Sequence, residues 1–147
     1  MTVAADWLLE RLTERQFTGP PCGEADRAAW IVEQDEWFAG SRYAVPTASR
    51  LVVAVAEVAR CWYPESGHGA AVGASPSRLD RLGEIRVPTL VVHGTSDPVF
   101  SAEHAVALAD GIPEAELWLV EDLGHELPDG LMSDLLPRLT AHLTRAT

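Results

Sequence analysis

The rear half of the chain contains two short, largely apolar runs, and each run ends in a polar loop that is followed by a helical pattern. The first lies in VPTLVVHGTSDPVF, residues 87–100, and the second is AELWLV, residues 115–120. A short apolar run bounded by turn residues predicts a buried strand. The order strand, helix, strand, helix, with short loops, predicts a parallel α/β unit with a right-handed crossover.

The elements expected in this half are a helical turn at 79–85, strands at 89–92 and 115–120, and helices at 102–110 and 131–145. Ser101 stands where a helix N-cap is needed. Leucines recur every four residues in the last helix and predict its buried side; they are Leu131, Leu135, Leu139 and Leu143. Pro137 should bend this helix. Two parallel strands have little stability alone, so this half looks like the end of a larger sheet.

The front half is predicted to be helical. Amphipathic or apolar patterns predict helices at 3–17, 24–38 and 47–62. Residues 64–77 are rich in Gly, Ala, Ser and Pro and predict a mobile linker. We therefore expect a helical region at 1–77 and an α/β region at 78–147. The tryptophans of the front half, Trp30, Trp37 and Trp62, fit a helical core better than a substrate pocket.

Composition excludes several classes of function. A formal net charge of -11 argues against nucleic acid or an anionic membrane as a partner, because eleven scattered Lys and Arg residues form no basic stripe. The chain has no apolar run long enough to span a membrane and no signal-peptide pattern, so a cytoplasmic location is expected. Cys22 and Cys61 are expected as thiols, although a disulfide between them stays open. His and Cys spacing indicates no metal site, and no cofactor is implied.

Several motifs together resemble a known family. They are LGEIRVPTLVVHGTSDPVF, residues 82–100, followed by GIPEAELWLVEDLGHELP, residues 111–128. This combination resembles the last third of an α/β-hydrolase, from about residue 78 onward. The front region is similar in size and helical content to the cap that such enzymes insert before the penultimate strand. The GHELP ending resembles the esterase-like branch, which includes polyketide methyl esterases.

The resemblance assigns roles to two residues. It implies that Asp97 accepts a hydrogen bond from His125, and that His125 is the general base of a Ser-His-Asp triad. They are 28 residues apart, and the ends of adjacent parallel strands would bring them to one edge of the sheet. The alternatives are a turn-forming Asp before Pro and a loop histidine without a special role.

The nucleophile of such a triad is missing from this sequence. None of its serines lies in the Gly-x-Ser-x-Gly pattern of the nucleophile elbow; they are Ser41, Ser49, Ser66, Ser75, Ser77, Ser96, Ser101 and Ser133. Ser75 comes nearest but precedes a proline and follows no strand. Cys22 has Gly23 after it, but no strand leads into it. We therefore expect little activity from the chain alone.

Other ionisable residues are interpreted more simply. His93, His104 and His142 are expected to be ordinary surface or strand-end residues. Asp122 and Glu126 flank His125 and would suit its electrostatic tuning, but acids on a solvated loop of an acidic protein need no special role.

Two functions follow as hypotheses. In the first, the chain is an α/β-hydrolase-family protein that acts on ester or similar acyl bonds of a small hydrophobic ester-like substrate. Its nucleophile lobe then comes from elsewhere, such as a partner chain, or has been lost. In the second, it is a non-catalytic binding or oligomerising module derived from a hydrolase, which self-associates through its open sheet edge. A third interpretation is that the sequence begins at an internal Met of a longer gene.

Overall fold

The computed structural model describes residues 4–62, 71 and 74–145. Three helices make up its front part: α1 spans Asp6–Thr18, α2 spans Glu24–Phe38 and α3 spans Thr47–Arg60. The predicted bounds of α2 are confirmed, whereas α1 begins three residues later and α3 ends two residues earlier than expected. Most of the predicted linker at 64–77 lies outside the described residues. The division of the chain at residue 77 stays a prediction.

The rear part has the predicted α/β order. A 3-10 helix at Leu79–Glu84 precedes strand β1, Leu90–Gly94, and helix α4, Ala102–Gly111. Strand β2, Glu116–Val120, leads through a second 3-10 helix at Asp129–Leu131 into α5, Met132–Arg145. The two strands pair in parallel from Leu90 opposite Glu116 to Gly94 opposite Val120. The prediction of a two-stranded parallel unit is confirmed.

Two separate apolar clusters hold the described residues together. The first joins α2 and α3 through the small or branched side chains of Ala28, Val32, Ala54 and Val58, with Trp62 against them. The second lies between the sheet and α5 and contains Val120, Leu123 and Leu131, with Tyr43, Val92, Trp118, Met132 and Leu135 around them. Tyr43 belongs to the loop between α2 and α3, so this loop anchors the helical region on the second cluster.

The leucine pattern of α5 was interpreted wrongly. Leu131 is fully buried and Leu135 packs against the second cluster, but Leu139 is 37% exposed and Leu143 is 58% exposed. A step of four residues advances about 40° beyond a full turn of an α-helix, so four leucines at this spacing spread over about 120°. The last turn buries His142 instead, whose Nδ1 lies 3.1 Å from Glu116 Oε1.

Ser101 occupies the N-cap position of α4, but its side chain does not cap the helix. No hydrogen bond joins its hydroxyl to a backbone N–H of the first turn. The hydroxyl lies 3.3 Å from Nδ1 of His104 instead. Ser101 was therefore predicted correctly as the N-cap residue, but its side chain does not make the capping hydrogen bond.

In the front part, Trp30 and Trp62 contact each other, and the two cysteines are free thiols. Trp30 and Trp62 meet edge to face, with ring centroids 5.9 Å apart. The guanidinium group of Arg15 lies 3.5 Å from the centroid of the Trp30 ring, which fixes α1 against α2. Cys22 and Cys61 are both free and exposed.

Candidate functional site

The loops that follow β1 and β2 leave the same edge of the sheet and are tied to each other. The backbone N–H of Thr95 donates to Val120 O at 3.0 Å, and that of Ser96 donates to Leu123 O at 3.0 Å. Gly94 lies under the second loop, and a Cβ at this position would lie 2.5 Å from the carbonyl carbon of Leu123. Only glycine permits that approach, so the sequence His-Gly at the end of β1 places the two loops in contact.

Asp97 is held in one orientation by hydrogen bonds to both carboxylate oxygens. Its Oδ1 accepts from the backbone N–H groups of Val99 at 2.7 Å and Phe100 at 3.0 Å. Its Oδ2 lies 2.8 Å from Nδ1 of His125. The Asp97 side chain is only 4% exposed. A buried carboxylate needs such partners, and here they aim one oxygen at the imidazole.

His125 is partly exposed and is fixed from three sides. Its backbone N–H donates to the carbonyl oxygen of Phe38, the last residue of α2, at 2.7 Å. Its ring lies near the rings of Phe38 and Phe100, with centroids 6.0 Å and 5.8 Å away. With Nδ1 bonded to Asp97 and 42% of the side chain exposed, Nε2 is the ring nitrogen left for a reacting group.

A glycine precedes His125 because the backbone around position 124 leaves no room for a side chain. A Cβ on Gly124 would lie 2.5 Å from the backbone nitrogen of Gly40 and 2.6 Å from the carbonyl carbon of Ala39. Gly40 makes the reciprocal approach, because its own Cβ would lie 2.6 Å from the carbonyl carbon of Leu123. The backbone after α2 and the backbone before His125 therefore pass at a distance that side chains on these two residues would prevent.

His93 is a neighbour of the pair that the sequence interpretation overlooked. Its Nε2 lies 3.6 Å from Oδ2 of Asp97 and 2.9 Å from the carbonyl oxygen of Phe100. Its side chain is 15% exposed. His93 is the penultimate residue of β1 and stands four residues before Asp97. This spacing was the available indication in the sequence that the two side chains lie close together. Asp97 therefore lies between two imidazoles.

The interpretation of Glu126 as a solvated acid was wrong. Both of its carboxylate oxygens bind the guanidinium group of Arg50 on α3, each at 2.9 Å. The side chains are 8% exposed for Arg50 and 18% exposed for Glu126. The hydrogen bond to Glu126 raises the pKa of Arg50, and burial raises the pKa of the neighbouring Asp35. Asp122 is exposed and in a left-handed conformation, with φ of 55°.

A cavity of about 450 Å³ opens beside the pair. Its wall combines the two imidazoles with apolar side chains, and includes Val92, His93, Phe100, Leu123, His125 and Leu127. A second cavity of about 540 Å³ shares Leu127 with it and is lined by Tyr43, Val45, Arg50 and Val53 among others. The first cavity has the mixture of apolar walls and a few polar groups that small-molecule sites show.

The described residues supply no partner for Nε2 of His125. Among residues 4–62, 71 and 74–145, no serine hydroxyl or cysteine thiol makes a hydrogen bond with this imidazole. No group of three or more His, Cys, Asp or Glu residues within that part of the chain is arranged to hold a metal ion. None of the helices described in it has the length and apolarity that crossing a bilayer requires.

Curated relatives match about half of the chain. The chain is 37% identical over 71 residues to rhodomycin D methylesterase DauP of Streptomyces sp. strain C5, across 48% of this chain and 24% of that protein. It is 35% identical over 68 residues to alpha/beta hydrolase domain-containing protein 17C of Mus musculus, across 45% of this chain and 21% of that protein. The match thus spans about a quarter of each relative's length.

Solved structures match a larger share of the chain. Est816, described as an N-acyl homoserine lactone degrading enzyme, aligns with a TM-score of 0.54 and 26% identity, over 86% of this chain and 52% of that one. A bromoperoxidase from Bacillus anthracis shares the fold with a TM-score of 0.59 and 21% identity, over 81% of this chain and 44% of that one. The family model described as alpha/beta hydrolase fold matches residues 56–129, half of the chain. The chain belongs to the α/β-hydrolase fold family.

Proposed function

We propose that this chain supplies the general base of an acyl-hydrolase site, with His125 as the base and Asp97 as the residue that orients it. The observation that carries the proposal is the 2.8 Å contact between His125 Nδ1 and the largely buried Asp97 Oδ2. A carboxylate in this position accepts a hydrogen bond from Nδ1–H, which keeps the proton on Nδ1 and leaves a lone pair on Nε2. It also stabilises the imidazolium that forms when Nε2 takes a proton from a nucleophile.

The reaction proposed is attack on the carbonyl carbon of an ester or a related acyl bond. Nε2 of His125 would take the proton of the attacking hydroxyl and return it to the leaving alcohol, so that the imidazole is neutral again after each half-reaction. A methylesterase and a lactone-degrading enzyme among the similar proteins support an ester as the substrate class. The apolar wall of the 450 Å³ cavity supports a small hydrophobic substrate.

The hydroxyl nucleophile would come from a polypeptide segment outside these 147 residues. The sequence contains no Gly-x-Ser-x-Gly pattern, and Nε2 of His125 has no serine or cysteine partner among the described residues. We therefore propose that the chain by itself does not hydrolyse esters through an acyl-enzyme. The helical region at 1–77 would act as the cap over the site, and the region at 78–147 would carry the base.

Two measurements on the purified chain test this proposal. Treatment with a fluorophosphonate probe, read by intact mass, should give no adduct on a sample that circular dichroism shows to be folded. Long-range proton–nitrogen spectra at alkaline pH should show the His125 side chain as the Nδ1–H tautomer, and Asp97→Asn should convert it to the Nε2–H tautomer. His125→Gln assigns the resonance, and His104→Gln is the control.

Either measurement can contradict the proposal. A stoichiometric fluorophosphonate adduct would show that a serine of this chain is activated. An Nε2–H tautomer in the unmodified chain would show that Asp97 does not orient His125 for base catalysis.

A specific observation favours a second function, that of a binding or oligomerising module. The outer face of α3 exposes four large apolar side chains in close succession, Leu51, Val52, Val53 and Val55, at 42% to 72% of their surface. Contiguous apolar surface of this kind marks protein contacts. Under this hypothesis the chain self-associates in analytical ultracentrifugation, and His125→Ala does not affect association. A monomer at micromolar concentration would contradict it.

A further inference from the structure

The ion pair between Arg50 and Glu126 links two parts of the chain that are 76 residues apart. Both bonds are 2.9 Å long and form the two-pronged geometry in which a guanidinium group binds a carboxylate most specifically. Both side chains are largely removed from water, at 8% and 18% exposure. Such a pair restrains its two backbones more tightly than an exposed ion pair, in which water screens the charges.

The position of Glu126 connects this pair to the proposed base. Glu126 follows His125 directly, in the loop of residues 121–128, called here the histidine loop. That loop is held on one side by the bond from the His125 backbone N–H to Phe38 O, at 2.7 Å. On the other side, the imidazole reaches Asp97 at 2.8 Å. The Arg50–Glu126 pair adds a two-pronged ion pair to these anchors and to the hydrogen bond from the Ser96 N–H to Leu123 O.

The charges around the pair make its arginine hard to replace. Asp35 and Glu36 lie near enough to raise the pKa of Arg50, after the larger effect of its hydrogen bond to Glu126. Asp35 is partly buried and carries a raised pKa chiefly because of that burial. Without the guanidinium group, Glu126 and Asp35 would remain as two carboxylates without their nearest counter-charge. Like charges in a partly dry environment repel, and the loop would move to give Glu126 access to water.

We propose that Arg50 is a positioning residue for His125: by binding Glu126 it holds the histidine loop on α3 in the one arrangement that keeps Nδ1 on Asp97. This inference rests on the proposed function, since it concerns the orientation of the same base. It gives the helical region a role in the acid–base chemistry, in addition to covering the cavity. A rearrangement of α3 relative to the sheet would then change the orientation of the imidazole.

The test compares Arg50→Met, Glu126→Met and the double variant with the unmodified chain. Arg81→Met is the matched control, because Arg81 forms an ion pair with Glu84 at 2.8 Å in which both partners are more than 60% exposed. The first readout is the tautomer of His125 in long-range proton–nitrogen spectra, which a purely structural role would not alter. The second is the exchange rate of the His125 backbone amide, with the Ile112 amide at the end of α4 as the internal reference.

The expected result is a mixture of Nδ1–H and Nε2–H tautomers in both single variants. Exchange of the His125 amide should become faster by about tenfold, while that of Ile112 stays unchanged. The double variant should show no greater effect than either single one, since the two residues act through one interaction. Arg81→Met should leave the spectrum of His125 as it is.

Three outcomes separate the hypotheses. If folded variants lose stability but keep the pure Nδ1–H tautomer, Arg50 is structural only and this inference is overturned. If the unmodified chain itself lacks the Nδ1–H tautomer, the proposed function fails first, and the inference fails with it. If a single variant does not fold, the double variant, in which neither Arg50 nor Glu126 remains without the other, decides between retention and loss of the tautomer.

Discussion

Replacement of Gly124 by alanine should separate the carboxyl end of α2 from the histidine loop. The new Cβ would overlap Phe38 O and would lie only 2.6 Å from the carbonyl carbon of Ala39, whereas ordinary contacts begin at 3.4 Å, so the two backbones must part by at least about 0.8 Å. All three nearest atoms belong to the backbone, and no side chain can rotate away to relieve the overlap. The hydrogen bond from the His125 N–H to Phe38 O, at 2.7 Å, is adjacent to the overlap and should break or lengthen.

The expected loss follows from these two effects. Overpacking of a close contact costs about 1–3 kcal/mol, and a buried hydrogen bond left unmade costs about 1–3 kcal/mol. Gly124→Ala should therefore lower the free energy of unfolding by about 2–6 kcal/mol. For a chain of this size, such a loss lowers Tm by roughly 5–20 °C. Urea titration followed by circular dichroism measures the first quantity, and thermal denaturation measures the second.

The matched control is Gly83→Ala, because a Cβ on Gly83 meets nothing within 4 Å. It should change the free energy of unfolding by less than ~0.5 kcal/mol. Amide exchange at His125 shows whether the loss in Gly124→Ala is local to the histidine loop. A loss no larger than that of Gly83→Ala, with the His125 amide still protected, would refute the close approach of α2 to Gly124.

Four further substitutions test packing and titration. Leu131→Ala should cost about 2–5 kcal/mol because Leu131 is fully buried, and Leu143→Ala, at an exposed position, less than ~0.5 kcal/mol; equal losses in urea titrations would contradict the packing of α5. The hydrogen bond from His142 lowers the pKa of Glu116. The ionised carboxylate therefore stabilises the fold above its ordinary pKa of 4.5, and this contribution is lost as the pH falls through the lower pKa of the folded state. Glu116→Gln should therefore reduce stability at neutral pH and not at strongly acid pH, and an equal loss at both would contradict the assignment. Burial raises the pKa of Asp35, so Asp35→Asn should raise Tm at neutral pH, with the gain disappearing below the ordinary pKa of 3.8; a lower Tm at neutral pH would show that attraction to the nearby arginine outweighs burial.

Local patterns in the sequence were enough for the secondary structure. The apolar runs and turn residues around β1 and β2 predicted both strands to within two residues at each end. The bounds of α2, Glu24–Phe38, could be predicted because prolines and glycines precede it and a loop that contains Gly40 and Pro46 follows it. The leucines of α5 misled, since a spacing of four does not keep side chains on one face over a whole helix.

The resemblance to α/β-hydrolases singled out Asp97 and His125, but it could not supply their surroundings. His93 was dismissed as a strand-end residue, although it lies 3.6 Å from Asp97. Glu126 was assigned to solvent, although Arg50 binds both of its oxygens. Arg50 reaches Glu126 only because the fold brings α3 to the histidine loop, and amphipathic periodicity carries no information on such an approach. His93 differs, since its spacing of four residues from Asp97 could be read in the sequence.

The sequence by itself determined the order of strands and helices, and its motifs carried the resemblance to α/β-hydrolases through which Asp97 and His125 were selected. Those properties depend on neighbours along the chain, where turn residues and apolar periodicity act over a few positions. The tertiary structure alone decided that the backbones at Gly124 and Gly40 are in contact and that Arg50 reaches the histidine loop. It also decided that Asp97 directs Oδ1 to backbone N–H groups and Oδ2 to His125. The contacts between Gly40 and Gly124, between Arg50 and Glu126, and between Asp97 and His125 join residues 28 to 84 positions apart. They form only when the fold brings the end of α2, α3 and the loop after β1 to the histidine loop.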